Sequence, residues 1–148
     1  MTNNDFHILL ADDDEDDCMF FKDAMEELTI TASLITVSNG VELMDFLKDN
    51  LSNLPQVLFL DLNMRCKSGT ECLSEIKESE IFRGLPVIIY STSSNLEVMD
   101  VLYGKGAQYY IRKPADFTDL KFVINKAISF IKEKNVQQPA REKFVIQP

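Results

Sequence analysis

The segment Val57-Leu58-Phe59-Leu60-Asp61 constrains this chain more than any other, because an unbroken apolar run stops at a carboxylate. A run so short, apolar at every position and preceded by Pro55, reads as a strand buried on both faces, as strands are inside parallel sheets. Asp61 then stands at the strand's carboxyl end. In open α/β sheets that edge forms the ligand crevice, at the point where strand order reverses.

Phe6-His7-Ile8-Leu9-Leu10-Ala11 repeats the buried-strand pattern and runs into six consecutive carboxylates, residues 12–17. Such a block ordinarily marks a solvated or disordered segment. Here it begins where a strand ends, and from Asp14 onward Cys18, Phe21, Met25 and Leu28 recur three or four apart, which predicts a helix. Acids in a first helical turn suit the positive end of the helix dipole, so Asp14, Glu15, Asp16 and Asp17 are expected as first-turn or solvated residues. Asp12 and Asp13, in the strand-to-helix turn, have no such structural role.

The alternation continues. Residues 30–37 are β-rich, and Ser38-Asn39-Gly40 turns into a helix with Met44, Leu47 and Leu51 inward. After Asp61 a loop through Lys67-Ser68-Gly69, where Gly69 is expected to serve the loop backbone, leads to a helix carrying Cys72, Leu73 and Ile76. Residues 86–90 form a fourth strand ending in Ser91-Thr92-Ser93-Ser94-Asn95, whose last residues can cap a helix bearing Leu96, Met99 and Tyr103. Gly104 and Gly106 close that helix, residues 107–111 form a fifth strand, and Lys113-Pro114 follows. A last helix over residues 116–134 is expected to bury Phe117, Leu120, Ile124, Ala127 and Ile131. Five strands alternating with five helices predict a doubly wound α/β fold, a parallel sheet covered on both faces. Residues 135–148 then make a tail. Its apolar Phe144-Val145-Ile146 is expected to dock on its own domain or on a second copy.

Composition narrows the function. A length of 148 residues is one domain's worth. A net charge of -9 with no run of Lys or Arg argues against nucleic acid as a direct partner. No apolar stretch is long enough for a membrane span and no secretory signal opens the chain, so a cytoplasmic protein is expected. Cys18, Cys66 and Cys72, with His7 the only histidine, match no zinc spacing and read as free thiols.

Every residue of chemical interest falls at a strand's carboxyl end: Asp12 and Asp13 after the first, Asp61 after the third, Ser91 after the fourth, Lys113 after the fifth. Parallel strands place them on one edge. Carboxylates converging there would raise one another's pKa unless a cation joined them, and Mg2+ suits a site with few protein ligands better than calcium. A carboxylate beside such an ion and a lysine can serve as nucleophile toward phosphorus, giving an aspartyl phosphate.

These five motifs, in this order over residues 6–134, resemble the response-regulator receiver domain of two-component signalling, in its stand-alone chemotaxis type. The resemblance implies a flavodoxin-like (βα)5 three-layer sandwich with a five-stranded parallel sheet in order 2-1-3-4-5, residues 1–134 being the receiver domain and 135–148 a C-terminal tail. It implies that Asp61 accepts the phosphoryl group and that Asp13 binds Mg2+ directly. Asp12 would hold the ion mainly through water, and the backbone carbonyl of Asn63 would complete the ligands. Ser91, followed by Thr92, would bond the phosphoryl group. Lys113 would pair with one of its oxygens, with a cis bond to Pro114 expected. Tyr110 takes the place of the aromatic switch residue, expected to turn from outward to inward as Ser91 moves. Arg65 stands where the family usually has proline.

The partners implied are a histidine kinase or histidine phosphotransfer protein, and an output protein meeting the face of the fourth helix, fifth strand and fifth helix. A homodimer is compatible with the resemblance; nucleic acid and membrane are not expected. With no DNA-binding helix-turn-helix after the receiver, output is expected through protein contacts. The resemblance implies a phosphoacceptor switch with self-catalysed phosphorylation and dephosphorylation, not a turnover enzyme. Three alternatives fit less well. A flavin-mononucleotide carrier needs a phosphate loop where this chain places acids. An aspartate-nucleophile phosphatase carries Asp-x-Asp, and Asp61-Leu62-Asn63 lacks the second acid. A phosphorylation-independent scaffold would be expected to have lost acids or the lysine, and none is lost.

Overall fold

In the computed structural model, which describes residues 6–133 and 137–148, one parallel sheet carries five strands in the order β2-β1-β3-β4-β5. They are β1 (Phe6–Ala11), β2 (Ala32–Val37), β3 (Val57–Leu60), β4 (Val87–Ser91) and β5 (Tyr109–Arg112). The helices between and after them are α1 (Glu15–Glu26), α2 (Gly40–Asp49), α3 (Gly69–Glu78), α4 (Leu96–Gly104) and α5 (Phe117–Lys132). This is the expected (βα)5 three-layer sandwich. The boundary placed between residues 134 and 135 lies outside the described residues.

Each helix begins where its sequence offers a cap. Asp14, Asn39, Ser68, Asn95 and Asp116 all accept backbone N–H groups of the first turn through their side chains, which satisfies donors the helix cannot. Ser68 and Glu71 cap reciprocally. Side chains alternate through the sheet as the strand period requires. Leu9, Leu58, Leu60, Val87, Ile89 and Tyr110 pack under α2, α3 and α4, whereas Ile8, Leu10, Val57, Phe59, Ile88 and Tyr90 pack under α1 and α5. In that second layer the ring of Phe21 meets Phe59 and Tyr90 edge-on, at centroid distances of 5.0 and 5.4 Å, contacts worth roughly 0.5–1.5 kcal/mol each beyond their area.

Some details depart from expectation. Leu51 is exposed, because α2 ends at Asp49 before reaching it, and Leu96 is exposed because packing falls to Met99 and Leu102 one turn later. The bond between Lys113 and Pro114, expected to be cis, is trans: there are no cis peptides among the described residues. The trans isomer is the intrinsically favoured one by about 0.5–1 kcal/mol. Beyond α5, a 3-10 turn (Arg141–Lys143) leads into Phe144-Val145-Ile146, which lies parallel to β5 with Val145 opposite Tyr110. The tail thus docks on its own domain.

Candidate functional site

Strand register positions the acids. Ala11 pairs with Val37 on one side and Leu60 on the other, so Asp12 and Asp61 leave adjacent strands together at the β1/β3 reversal of strand order. The ladder continues one residue further on both, through Asp12 N–H to the Val37 carbonyl at 3.1 Å and Asp61 N–H to the Ala11 carbonyl at 2.9 Å. Asp12 is 1% and Asp61 6% exposed. With Asp13, half-buried in the β1–α1 turn, they offer three carboxylate oxygens within 4.8 Å of one another.

Lys113 reaches the cluster from the β5–α5 loop. Its own N–H donates to the Ser91 carbonyl at 2.8 Å, which fixes its backbone beside β4, and its ammonium lies 5.2 Å from the centroid of the Tyr90 ring. Nζ stands 2.7 Å from Asp17 Oδ2, 2.9 Å from Asp12 Oδ2 and 3.4 Å from Asp61 Oδ2. Burial pushes the Asp61 carboxyl up to about 6; Lys113 opposes that rise, and the charge of Asp12 adds to it. Burial pulls Lys113 down, yet the hydrogen bond to Asp17 and the charges of Asp61 and Asp12 outweigh it, leaving the ammonium above its ordinary range.

One oxygen is not satisfied. Asp12 Oδ2 is buried and, although close to Lys113, lies off the line of a hydrogen bond. A buried oxygen without a donor, in an all-oxygen cluster of converging acids, suits a hard divalent cation. The residues present fit such an ion.

Ser91 is fully buried at the end of β4, and its Oγ accepts the Ser93 N–H at 3.2 Å. No hydrogen bond joins Ser91 to Asp61 among the described residues. Thr92 is exposed, and Asn63 is exposed in the β3–α3 loop two residues after Asp61. Tyr110, expected to start outward, is already inside: it is 0% exposed, and its hydroxyl donates to the Ser93 carbonyl at 2.7 Å. The ring is held there by packing against Phe144 of the tail, at a centroid distance of 6.1 Å.

Two glycines serve close approach rather than loop freedom. A Cβ on Gly69 would stand 2.0 Å from the Asp61 carbonyl oxygen, and one on Gly40 would stand 2.1 Å from the Lys67 carbonyl oxygen. Gly69 therefore opens α3 against the backbone of Asp61, correcting the expectation that it serves the loop. Between them runs the segment with Arg65 in place of proline. Cys66 adopts φ 70° and the Lys67 N–H returns to the Arg65 carbonyl at 2.7 Å, a strained three-residue turn. Arg65 Nε comes within 3.9 Å of Asp13 Oδ2. Sequence reasoning missed Asp17, read as a first-turn or solvated acid. Its signal was position: the third residue of a helix that starts at the acid edge points a side chain back across that edge.

Comparison with known proteins agrees with this geometry. The family profile described as "Response regulator receiver domain" matches residues 8–125. The chain is 32% identical over 124 residues to the probable methanogenesis regulatory protein FilR2 of Methanothrix harundinacea, covering 82% of this chain and 80% of that protein. It is 30% identical over 127 residues to response regulator Rcp1 of Synechocystis, covering 83% and 86%. Among solved structures, the phosphorylated cyanobacterial phytochrome response regulator RcpA superposes with TM-score 0.77 at 29% identity, over 85% of this chain and 93% of that one. The Mn(2+)-bound form of Rcp1 does so with TM-score 0.77 at 29% identity, over 91% and 99%.

Proposed function

Because the chain belongs to the response regulator receiver family of two-component signalling, we propose that it accepts a phosphoryl group on Asp61 from a histidine kinase or a histidine phosphotransfer protein. The observation that carries this is the convergence of Asp12, Asp13 and Asp61 with the Lys113 ammonium at one end of the sheet. A carboxylate oxygen of Asp61 attacks the phosphorus of a phosphohistidine; the new O–P bond forms as the P–N bond breaks, and the imidazole leaves with that electron pair. Lys113 moves from Asp61 onto a phosphoryl oxygen. Ser91 gives up the Ser93 N–H and turns its hydroxyl toward another, with Thr92 beside it.

Asp12, Asp13 and Asp61, with the backbone carbonyl of Asn63, would hold the divalent ion. We read it as Mg2+, which when bound supplies neutralisation of the converging acids and of the phosphoryl oxygens. An open groove of about 390 Å3 beside Asp13, lined also by Met19, Lys22 and Glu42, gives a phosphodonor protein its approach. The product is a switch, not a turnover enzyme, and its output passes through protein contacts of α4, β5 and α5. No helix among the described residues is long and apolar enough to cross a membrane.

The test is incubation with magnesium and a small acyl phosphate donor. One phosphoryl group on a hydroxylamine-sensitive bond is expected in the wild type and none in Asp61→Asn. Labelling that persists in that variant would overturn the assignment.

A further inference from the structure

β5 is the last strand of the sheet, so one row of its backbone groups would face outward unpaired. The tail supplies partners. Tyr110 N–H donates to the Phe144 carbonyl at 3.0 Å, and Ile146 N–H donates to the Tyr110 carbonyl at 2.9 Å. Three residues of strand are a weak attachment by themselves, and further contacts fasten this one. The Tyr103 hydroxyl donates to the Pro139 carbonyl at 2.6 Å. The Gln138 amide donates to the carbonyls of Tyr103 and Ala107 at 2.6 and 2.7 Å. Arg141 Nε meets Asp100 Oδ1 at 2.7 Å. Phe144, 0% exposed, enters the layer under α4 with its ring edge-on to Tyr103 at 5.2 Å, and Ile146 enters the layer under α5.

The attachment leads back to the acid site. Phe144 packs on Tyr110, the Tyr110 hydroxyl holds the Ser93 carbonyl, and the Ser93 N–H is bonded to Ser91 Oγ. When Ser91 turns toward a phosphoryl oxygen it leaves space beside β4, and a Tyr110 ring that is already buried can settle toward it. A ring left outward would first have to turn in. Tail docking and phosphorylation thus favour the same setting of Tyr110.

We propose that residues 137–148 are an internal ligand of the face formed by α4, β5 and α5, holding Tyr110 buried and docking more firmly when Asp61 carries its phosphoryl group. Partners of this face then meet the tail, and any protein that pulls the tail away weakens the hold on the phosphoryl group by the same factor. The linkage rests on the phosphoacceptor role proposed for Asp61.

The experiment measures amide exchange of Tyr110 and Ile146 in the full chain, with and without magnesium and beryllofluoride, a phosphoryl mimic. Beryllofluoride affinity is measured alongside for the wild type, Phe144→Ala, Ile146→Pro and the conservative Ile146→Val. Both amides are expected to be protected in the resting wild type, and more so with the mimic. Phe144→Ala should deprotect both, and Ile146→Pro, which has no donor at 146, should deprotect Tyr110. Both should lower mimic affinity by roughly three- to tenfold, while Ile146→Val behaves as wild type. Ile146 exchanging like an unstructured peptide in the wild type would overturn docking. Protection that appears only as protein concentration rises would assign the strand to a second copy and overturn the internal ligand. Equal mimic affinity in all four proteins would overturn the linkage. Failure of the mimic to bind any of them would instead overturn the phosphoacceptor reading, and the linkage with it.

Discussion

Lys113 makes its shortest contact not with Asp61 but with Asp17, at 2.7 Å. Asp61 lies 3.4 Å away, so an acid from the first turn of α1 competes for the ammonium that the phosphoryl group would need. Asp17→Asn should free it. Beryllofluoride affinity is expected to rise about two- to fivefold, the size of a partly exposed ion pair, and the aspartyl phosphate to last longer. Unchanged affinity and lifetime would show that Asp17 does not restrain Lys113.

Asp61 also weighs on the fold. Its carboxyl is raised to about 6 from an ordinary 3.8, chiefly by burial, then by Asp12 against the pull of Lys113. The folded state therefore holds a proton that the unfolded chain releases between those values, and stability contributed below 3.8 is lost as pH rises through 6. In metal-free buffer at pH 7.5, Asp61→Asn should be more stable by about 1 kcal/mol, a figure reduced for solvent screening. The advantage should vanish below pH 4. Thermal unfolding of both proteins across that range checks it.

Lys77 gives the opposite sign. Burial pulls its ammonium down to about 8 from 10.5, while Nζ donates to the Leu85 carbonyl at 2.8 Å and the Arg83 carbonyl at 3.2 Å. Between pH 8 and 10.5 the unfolded chain binds the extra proton, so stability rises with pH across that window. Denaturant titrations should show wild type gaining on Lys77→Met there, and a flat difference would count against the burial argument.

Gly69 and Gly104 make a matched pair. A Cβ at 69 collides with the Asp61 backbone at 2.0 Å, whereas one at 104 meets nothing within 4 Å. Gly69→Ala should cost about 1–3 kcal/mol and slow phosphorylation by displacing Asp61. Gly104→Ala, at the end of α4, should be neutral or stabilising by up to roughly 1 kcal/mol. Urea midpoints and labelling rates distinguish them.

The sequence by itself determined the alternation of strands and helices, the cap that Asn95 puts on α4, and the arrival of Asp12, Asp13, Asp61, Ser91 and Lys113 at one edge. Those properties are local: apolar period, turn chemistry and strand direction suffice to place a residue at an end of a strand. Tertiary structure alone decided what lies beside what across the chain. Asp17 looked like any first-turn acid until β5 brought Lys113 to it across 96 residues of sequence. Tyr110, expected to start outward, lies fully buried, with Phe144 of the tail packed against its ring and the Ser93 carbonyl accepting its hydroxyl. Gly69 is required by the Asp61 carbonyl, a contact no spacing encodes. Periodicity reports which face of an element is apolar, but the neighbour covering that face is chosen by the packing of the whole chain.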